Sequence, residues 1–245
     1  MSALRALWVL FRHGYGQLLG GKRVWITGAL VALALLPAAA VSGGAGTEGA
    51  QAVIDLDRQL VLPLLLPVVA LVFAVAAGGD ELRDGTLVNL VTKPYPRDLV
   101  AAAKYLATVV AILTLLVPME ILAHLIAARG TGSGTVLVAG LLATLVGSLT
   151  WGALGLLLGL LISRALLIGL AWTLLWEGAV AGVAPGAAAV SVRGWTEGVL
   201  SAAVRPDGLE FATRLGPVTS LVSALTIAAL AFLLAARRLH RMDLH

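Results

Sequence analysis

The sequence predicts an all-α membrane protein with six transmembrane helices, an amphipathic helix in the membrane interface at the N-terminus, and both termini in the cytoplasm. Of the 245 residues, 60% are hydrophobic and 12% are charged, whereas a soluble domain carries about 25% charged residues. The mean hydropathy is +0.99, and several apolar runs are long enough to cross a bilayer. We therefore interpret residues 1–245 as a single transmembrane domain.

The first predicted element, residues 2–20, has an apolar stripe through Leu4, Leu7, Trp8 and Phe11. At this length, and with cationic residues off the stripe, such a helix is expected to lie in the interface rather than to span the membrane.

Six apolar runs follow and are separated by more polar segments. We predict an outer, solvated loop over residues 42–60, which contains Asp57 and Arg58, a cytoplasmic loop over 80–98, and an outer re-entrant or interfacial segment over 185–214. The predicted spans are residues 24–41, 61–79, 99–127, 135–161, 166–184 and 215–236.

The distribution of Lys and Arg sets the orientation. With the N-terminus inside, the cytoplasmic face carries twelve of these residues and the outer face carries five, as the positive-inside rule requires. The net charge of +4 is therefore a topology signal, and few aromatic residues accompany the cations, so nucleic acid is not an expected partner. The chain has no cysteine, which excludes disulfides and thiolate metal sites.

The most polar segment within this apolar chain is residues 78–104, GGDELRDGTLVNLVTKPYPRDLVAAAK. Six charges lie between Asp80 and Arg97, so this loop must lie in water. Its middle reads as a short amphipathic element, and Pro94 and Pro96 stop any helix there. A short helix between two membrane spans is better suited to docking against another protein than to catalysis.

Three short motifs of this segment resemble the first cytoplasmic loop of ABC-2 type transporter permeases. They are Glu81-x-x-x-Gly85-Thr86-Leu87, Pro94-x-Pro96-Arg97 and Lys104-Tyr105-Leu106-Ala107. In that family the loop carries a coupling helix that rests on the ATPase subunit, and this chain departs mildly from the pattern at Tyr95. The resemblance implies that the ATPase-docking residues are Glu81, Arg83, Asp84, Gly85, Thr86, Leu87 and Leu90.

The resemblance also implies the assembly and the activity. A permease of this family works with two copies of an ABC ATPase subunit and with a second permease copy or a related permease, in the lipid bilayer of the cytoplasmic (inner) membrane. An extracytoplasmic accessory protein is a further optional partner. The usual direction is export, and the N-terminal element would then be the family's connecting helix, the alternative being a simple topogenic start.

We expect no enzyme activity and no cofactor in this chain, because ATP and Mg²⁺ would be bound by the partner ATPase. The segment Gly16-x4-Gly21-Lys22 matches most of a phosphate-binding loop, but Arg23 occupies the position of the Ser or Thr that holds magnesium. No strand pattern precedes it and an apolar span follows, so we interpret it as a glycine-rich turn. No cluster of metal ligands is apparent in the sequence.

Three ionisable residues within the spans are candidates for a substrate path or an outer gate. Glu120 and His124 are four residues apart on one face of the third span, with Glu120 about 31 Å along it. Glu177 lies toward the outer half of the fifth span. The alternatives are an interfacial polar pair for the first two and pairing with a neighbouring loop for Glu177.

Two other classes of function remain as alternatives to the permease. A secondary transporter or channel is expected to carry charges or broken helices near the bilayer midplane, whereas the ionisable groups here lie toward the ends of the spans. An intramembrane protease lacks support because no Gly-x-Ser-x-Gly motif accompanies His124. The motif Gly155-x3-Gly159 predicts close helix packing, either within the bundle or at a subunit interface.

Overall fold

The computed structural model describes residues 3–41, 47–83, 96–127, 134–180, 186–204 and 215–241. Within these ranges the chain is helical and contains no strand. The α-helices are α1 Ala3–Leu19, α2 Lys22–Leu33, α3 Leu35–Val41, α4 Thr47–Leu56, α5 Leu66–Arg83, α6 Arg97–Ala127, α7 Gly134–Leu161, α8 Ala165–Trp172, α9 Val192–Val204 and α10 Pro217–Arg241. Two π-helical segments, Asp57–Leu65 and Thr173–Val180, and a 3₁₀ turn, Ala187–Val190, join some of them.

Five of the described helical stretches are long and apolar enough to cross a membrane, so the protein is a multi-pass membrane protein. They are Lys22–Ala40, Gly49–Gly79, Arg97–Ala127, Gly134–Leu161 and Pro217–Arg241. The predicted fifth span, 166–184, corresponds to a shorter apolar helix, Ala165–Ala179. The count of six spans and the orientation of the termini therefore stay predictions.

The helix that contains the second predicted span starts much earlier than the sequence indicates. Instead of a solvated loop over residues 42–60, the chain is helical from Thr47 through α4, the π-helical segment and α5 without interruption. Pro63 lies inside the π-helical segment, where the N–H that proline lacks breaks the regular hydrogen-bond ladder. The charged residues near Asp57 gave the appearance of a loop, but Asp57 is only 4% exposed.

Glycines bring α5 and α7 into backbone contact at the centre of the bundle. A Cβ atom added to Gly155 would lie 2.6 Å from the Cβ of Ala74, and one added to Gly159 would lie 2.9 Å from the carbonyl oxygen of Val75. Both distances are too short for real carbon contacts. The Gly-x3-Gly motif therefore packs inside the bundle, which decides between the two options that the sequence left open.

The N-terminal helix α1 packs along α6. The hydroxyl groups of Tyr15 and Thr114 are hydrogen-bonded at 3.0 Å, and the rings of Trp8, Phe11 and Tyr15 stack in succession. Trp8 and Leu4 are largely exposed. The helix predicted over residues 2–20 is therefore present, and its location in the membrane interface stays a prediction.

Within the predicted outer segment 185–214, the structure describes the 3₁₀ turn and α9, which packs against α7 and α10. Trp195 and Leu200 of α9 are buried, and the indole N–H of Trp195 donates to the carbonyl of Ala189 at 3.0 Å. This helix is thus fixed to the bundle by its apolar side.

Candidate functional site

The predicted cytoplasmic loop, which contains the predicted docking residues, begins at the end of α5. Glu81 and Arg83 belong to the last turn of α5. The other five predicted docking residues, Asp84, Gly85, Thr86, Leu87 and Leu90, lie outside the described residues. The structure therefore places the two ends of this loop and leaves its docking role a prediction.

The start of the loop is fixed to α6 by a buried lysine. Lys104 Nζ donates a hydrogen bond of 2.7 Å to the carbonyl oxygen of Ala77, which is one helical turn before Glu81. Lys104 is buried, and a charged donor on a neutral acceptor forms a comparatively strong hydrogen bond. The turn of α5 that precedes the last one is therefore held against α6.

The end of the loop is fixed to the last helix. Arg97 Nη1 donates to the carbonyl oxygens of Leu239 and His240, at 3.2 and 2.5 Å. His240 Nε2 in turn donates to Asp98 Oδ1 at 2.6 Å. A cation at the C-terminus of α10 and an anion in the first turn of α6 both complement the helix dipoles. We call Arg97, Asp98 and His240 the inner clamp.

A second contact joins α6 to its neighbours two turns further on. Tyr105 donates through its hydroxyl to the carbonyl of Leu149 on α7 at 3.0 Å. Its ring lies 5.2 Å from the ring of Phe232 on α10. The first turns of α6 thus contact α5, α7 and α10. The motif residues Arg97, Lys104 and Tyr105 were recognised from the sequence, but no role was assigned to them.

A pair of buried carboxylates lies in the bundle between the second, third and fourth predicted spans. Glu120 is 5% exposed, and its Oε1 accepts a hydrogen bond from the hydroxyl of Thr144. A Cβ atom on Gly140 would lie 2.9 Å from Asp57 Oδ2 and 3.8 Å from Glu120 Oε2. Gly140 therefore leaves the space that the two carboxylates share.

Sequence reasoning identified Glu120 but missed Asp57 as its neighbour. His124, one turn beyond Glu120, is also buried. Among the described residues, neither His124 Nδ1 nor Glu120 Oε2 has a hydrogen-bond partner. In the same part of the chain, no group of three or more His, Cys, Asp or Glu side chains is arranged to hold a metal ion. The arrangement is a buried polar cluster without evident catalytic geometry.

Glu177 has a different environment. Its carboxylate accepts hydrogen bonds from the hydroxyl of Ser191 at 2.6 Å and from the backbone N–H groups of Val192 and Arg193 at 3.1 and 2.9 Å. These donors form the N-terminus of α9, where backbone N–H groups lack partners within the helix. Glu177 therefore caps α9 from another segment, and its hydrogen bonds do not join it to Glu120 or His124.

The chain was also compared with known proteins. No curated protein matches it at a significant level. Residues 21–185 match the family model described as ABC-2 family transporter protein. This match covers most of the chain, including α2 to α8, the segment between α5 and α6, and the buried carboxylates. The chain belongs to the ABC-2 family of transporter proteins.

Proposed function

We propose that this permease couples ATP hydrolysis by a separate ATPase subunit to the export of a substrate across the membrane. The observation that carries the proposal is the family match over residues 21–185. It includes the loop 80–98, in which the sequence predicts the coupling helix. The cargo class stays open, because export systems of this family move chemically different substrates.

In the proposed mechanism, closure of two ATPase subunits displaces the coupling helix. Glu81, Arg83 and Asp84 would make polar contacts with the ATPase, while Leu87 and Leu90 would pack into an apolar groove. The remaining docking residues, Gly85 and Thr86, would let the backbone approach closely. Coupling of this type requires a docked element that is rigidly connected to the helices that move.

The hydrogen bonds at both ends of the loop support this requirement. Lys104 holds α5 one turn before its last turn, and Arg97 holds the last turn of α10. A displacement of the loop would therefore be transmitted to three helices at once.

The proposed assembly contains two ATPase subunits, which bind ATP and Mg²⁺, and two permease copies or two related permeases in the cytoplasmic membrane. An extracytoplasmic accessory protein is an optional addition. Both termini in the cytoplasm require an even number of crossings. We therefore propose that the segment from Ala165 to Val180, 16 residues in length, completes a sixth crossing with the residues that follow it.

We further propose that Glu120 and His124, together with Asp57, border the substrate path or the outer gate. Buried ionisable groups in a membrane protein are costly to keep, and they usually serve transport. The shared space at Gly140 supports a joint role of the two carboxylates. For Glu177, the hydrogen bonds to α9 favour the anchoring role over contact with substrate.

The test is a charge reversal on the coupling helix, Glu81→Lys with Asp84→Lys, in the complex purified with its ATPase and reconstituted into liposomes. We expect folded protein with loss of both transport and permease-stimulated ATP hydrolysis. The control variant Asp207→Lys with Glu210→Lys makes the same charge change, also three residues apart, in the predicted outer segment 185–214 and should keep both activities. Transport and ATP turnover at the wild-type rate in the Glu81 and Asp84 variant would refute the docking role.

A further inference from the structure

We infer that Arg97 and Asp98 are positioning residues that make the last helix, α10, move as one body with the first cytoplasmic loop. The inference rests on the proposed function, which assigns the loop to the ATPase, and extends it by naming the helix that the loop moves. The inner clamp and the contact between Tyr105 and Phe232 carry the argument.

In the inner clamp, the side chain of Arg97 binds backbone atoms of α10, and these hydrogen bonds fix the direction in which the two helices meet. Arg97 donates to two consecutive carbonyl oxygens in the last turn of α10. The guanidinium group is planar with several donors, so it fixes orientation as well as distance. The turn of α6 that ends the loop and the last turn of α10 are thus held in one geometry.

If α6 and α10 shared a single contact, α10 could rotate about it. The two helices share two contacts, and these lie at matching positions along both helices. Arg97 and Tyr105 are eight residues apart on α6, and their partners His240 and Phe232 are eight residues apart on α10. At about 1.5 Å per residue, both pairs are separated by about 12 Å along their helices. Two attachments at equal spacing on antiparallel helices prevent α10 from rotating independently of α6.

The inner clamp contributes little to the stability of the fold, which makes its positioning role testable. Asp98 and His240 are 73% and 48% exposed, and exposed ion pairs usually stabilise a protein only weakly. Most of the anchorage of α10 comes from its buried alanines, such as Ala224, Ala228 and Ala235, which face the bundle. Removal of the clamp is therefore expected to leave α10 in place while loosening its connection to the loop.

The experiment uses the Arg97→Ala permease with its ATPase in lipid nanodiscs. Two cysteines, Leu234→Cys on α10 and Leu142→Cys on α7, carry spin labels, because the chain has no native cysteine and both leucines are exposed. In the parent with these labels only, we expect the distance between them to change when the ATPase is trapped with vanadate. In Arg97→Ala we expect that change to be lost, with ATP hydrolysis within about twofold of the parent and transport per ATP reduced by about tenfold.

The matched control is Arg238→Ala, which removes an arginine side chain from the last turn of α10, the turn that Arg97 contacts, but leaves the inner clamp intact. It should retain both the distance change and the transport. If the yield of folded Arg97→Ala is low, Arg97→Lys keeps the charge but not the planar set of donors, and should show the same defect.

A second measurement distinguishes joint movement from a gate that opens at the clamp. The cysteines Asp98→Cys and His240→Cys are joined by a short bismaleimide. Transport that continues after cross-linking supports the inference, whereas ATP hydrolysis without transport would show that the two ends must separate, and would overturn it.

An unchanged distance response and full transport in Arg97→Ala would also overturn the inference. If the charge reversal at Glu81 and Asp84 still uncouples the transporter in that case, only the role of the clamp is refuted. If that reversal has no effect either, the proposed function fails as well.

Discussion

The cap that Glu177 provides for α9 gives the sharpest stability prediction. The carboxylate is 2% exposed and accepts three hydrogen bonds, two of them from backbone N–H groups. In Glu177→Ala these two donors lose their acceptor, and water has little access to the site. The first turn of α9 would then have unsatisfied polar groups next to the buried side chain of Trp195.

The size of the effect follows from the number of orphaned groups. A buried donor left without a partner costs about 1–3 kcal/mol. The N–H of Val192 is fully buried and that of Arg193 partly so, so we expect Glu177→Ala to lower the free energy of unfolding by about 2–5 kcal/mol. The N–H of Gly194 is unaffected, because it donates to the hydroxyl oxygen of Ser191 at 3.1 Å, but this hydroxyl loses Glu177 as its acceptor.

The assay is reversible unfolding by SDS in mixed micelles, followed by circular dichroism. The matched control is Glu197→Ala, which removes a carboxylate from α9 itself. Its ion pair with Arg193, at 2.8 Å, is partly exposed, and we expect a loss of about 0.2–1 kcal/mol. Equal losses in the two variants would refute the capping argument. Wild-type stability with abolished transport in Glu177→Gln would instead support a role of Glu177 in the substrate path.

Three further predictions concern packing, charge and topology. Gly159→Ala places a methyl group against the backbone of α5 and should destabilise the bundle by about 1–3 kcal/mol. Gly28→Ala has open space around its Cβ position and should be neutral or stabilising by up to about 1 kcal/mol. Unfolding in SDS compares the two variants, and equal effects would contradict the close approach of α5 and α7. Glu120→Gln keeps the shape of the side chain and an oxygen that can accept from Thr144, and should leave the free energy of unfolding nearly unchanged while reducing transport; a transport rate equal to the wild type would exclude this side chain from the path. Single cysteines at Ser163 and Ala187 should react with a membrane-impermeant maleimide from opposite sides of the membrane; labelling from the same side would rule out a sixth crossing between them.

The helices were largely predictable because long apolar runs have few alternatives in a membrane protein. The third and fourth predicted spans differ from α6 and α7 by at most two residues at each end. The loop expected before the second span was wrong, because residues 47–60 are helical; a local cluster of charged residues normally marks a loop. Asp57 is buried only because Gly140, more than eighty positions later in the chain, leaves room for it. A local sequence pattern cannot indicate a contact between two residues so far apart in the chain.

The candidate site was likewise predictable only in part. The motif residues Arg97 and Lys104 were recognisable by their spacing, but their partners are carbonyl oxygens of Leu239 and Ala77. Backbone atoms are present at every position, so a sequence cannot indicate which of them will accept a bond. The cap formed by Glu177 escaped prediction for the same reason, and only the option of pairing with a neighbouring segment was foreseen.

The burial of Asp57 also has a consequence for biogenesis. A charged aspartate costs about 2.5–3.5 kcal/mol at the centre of a single inserted helix, and this is an upper bound for Asp57, which lies in the first third of the stretch Gly49–Gly79. This stretch is synthesised before α7. The space at Gly140 and the neighbouring Glu120 become available only when the later spans have been inserted and packed. We therefore expect α4 and the π-helical segment to stay near the outer surface of the membrane during translation. Their final position would be reached in a late step, after the ribosome has released α7.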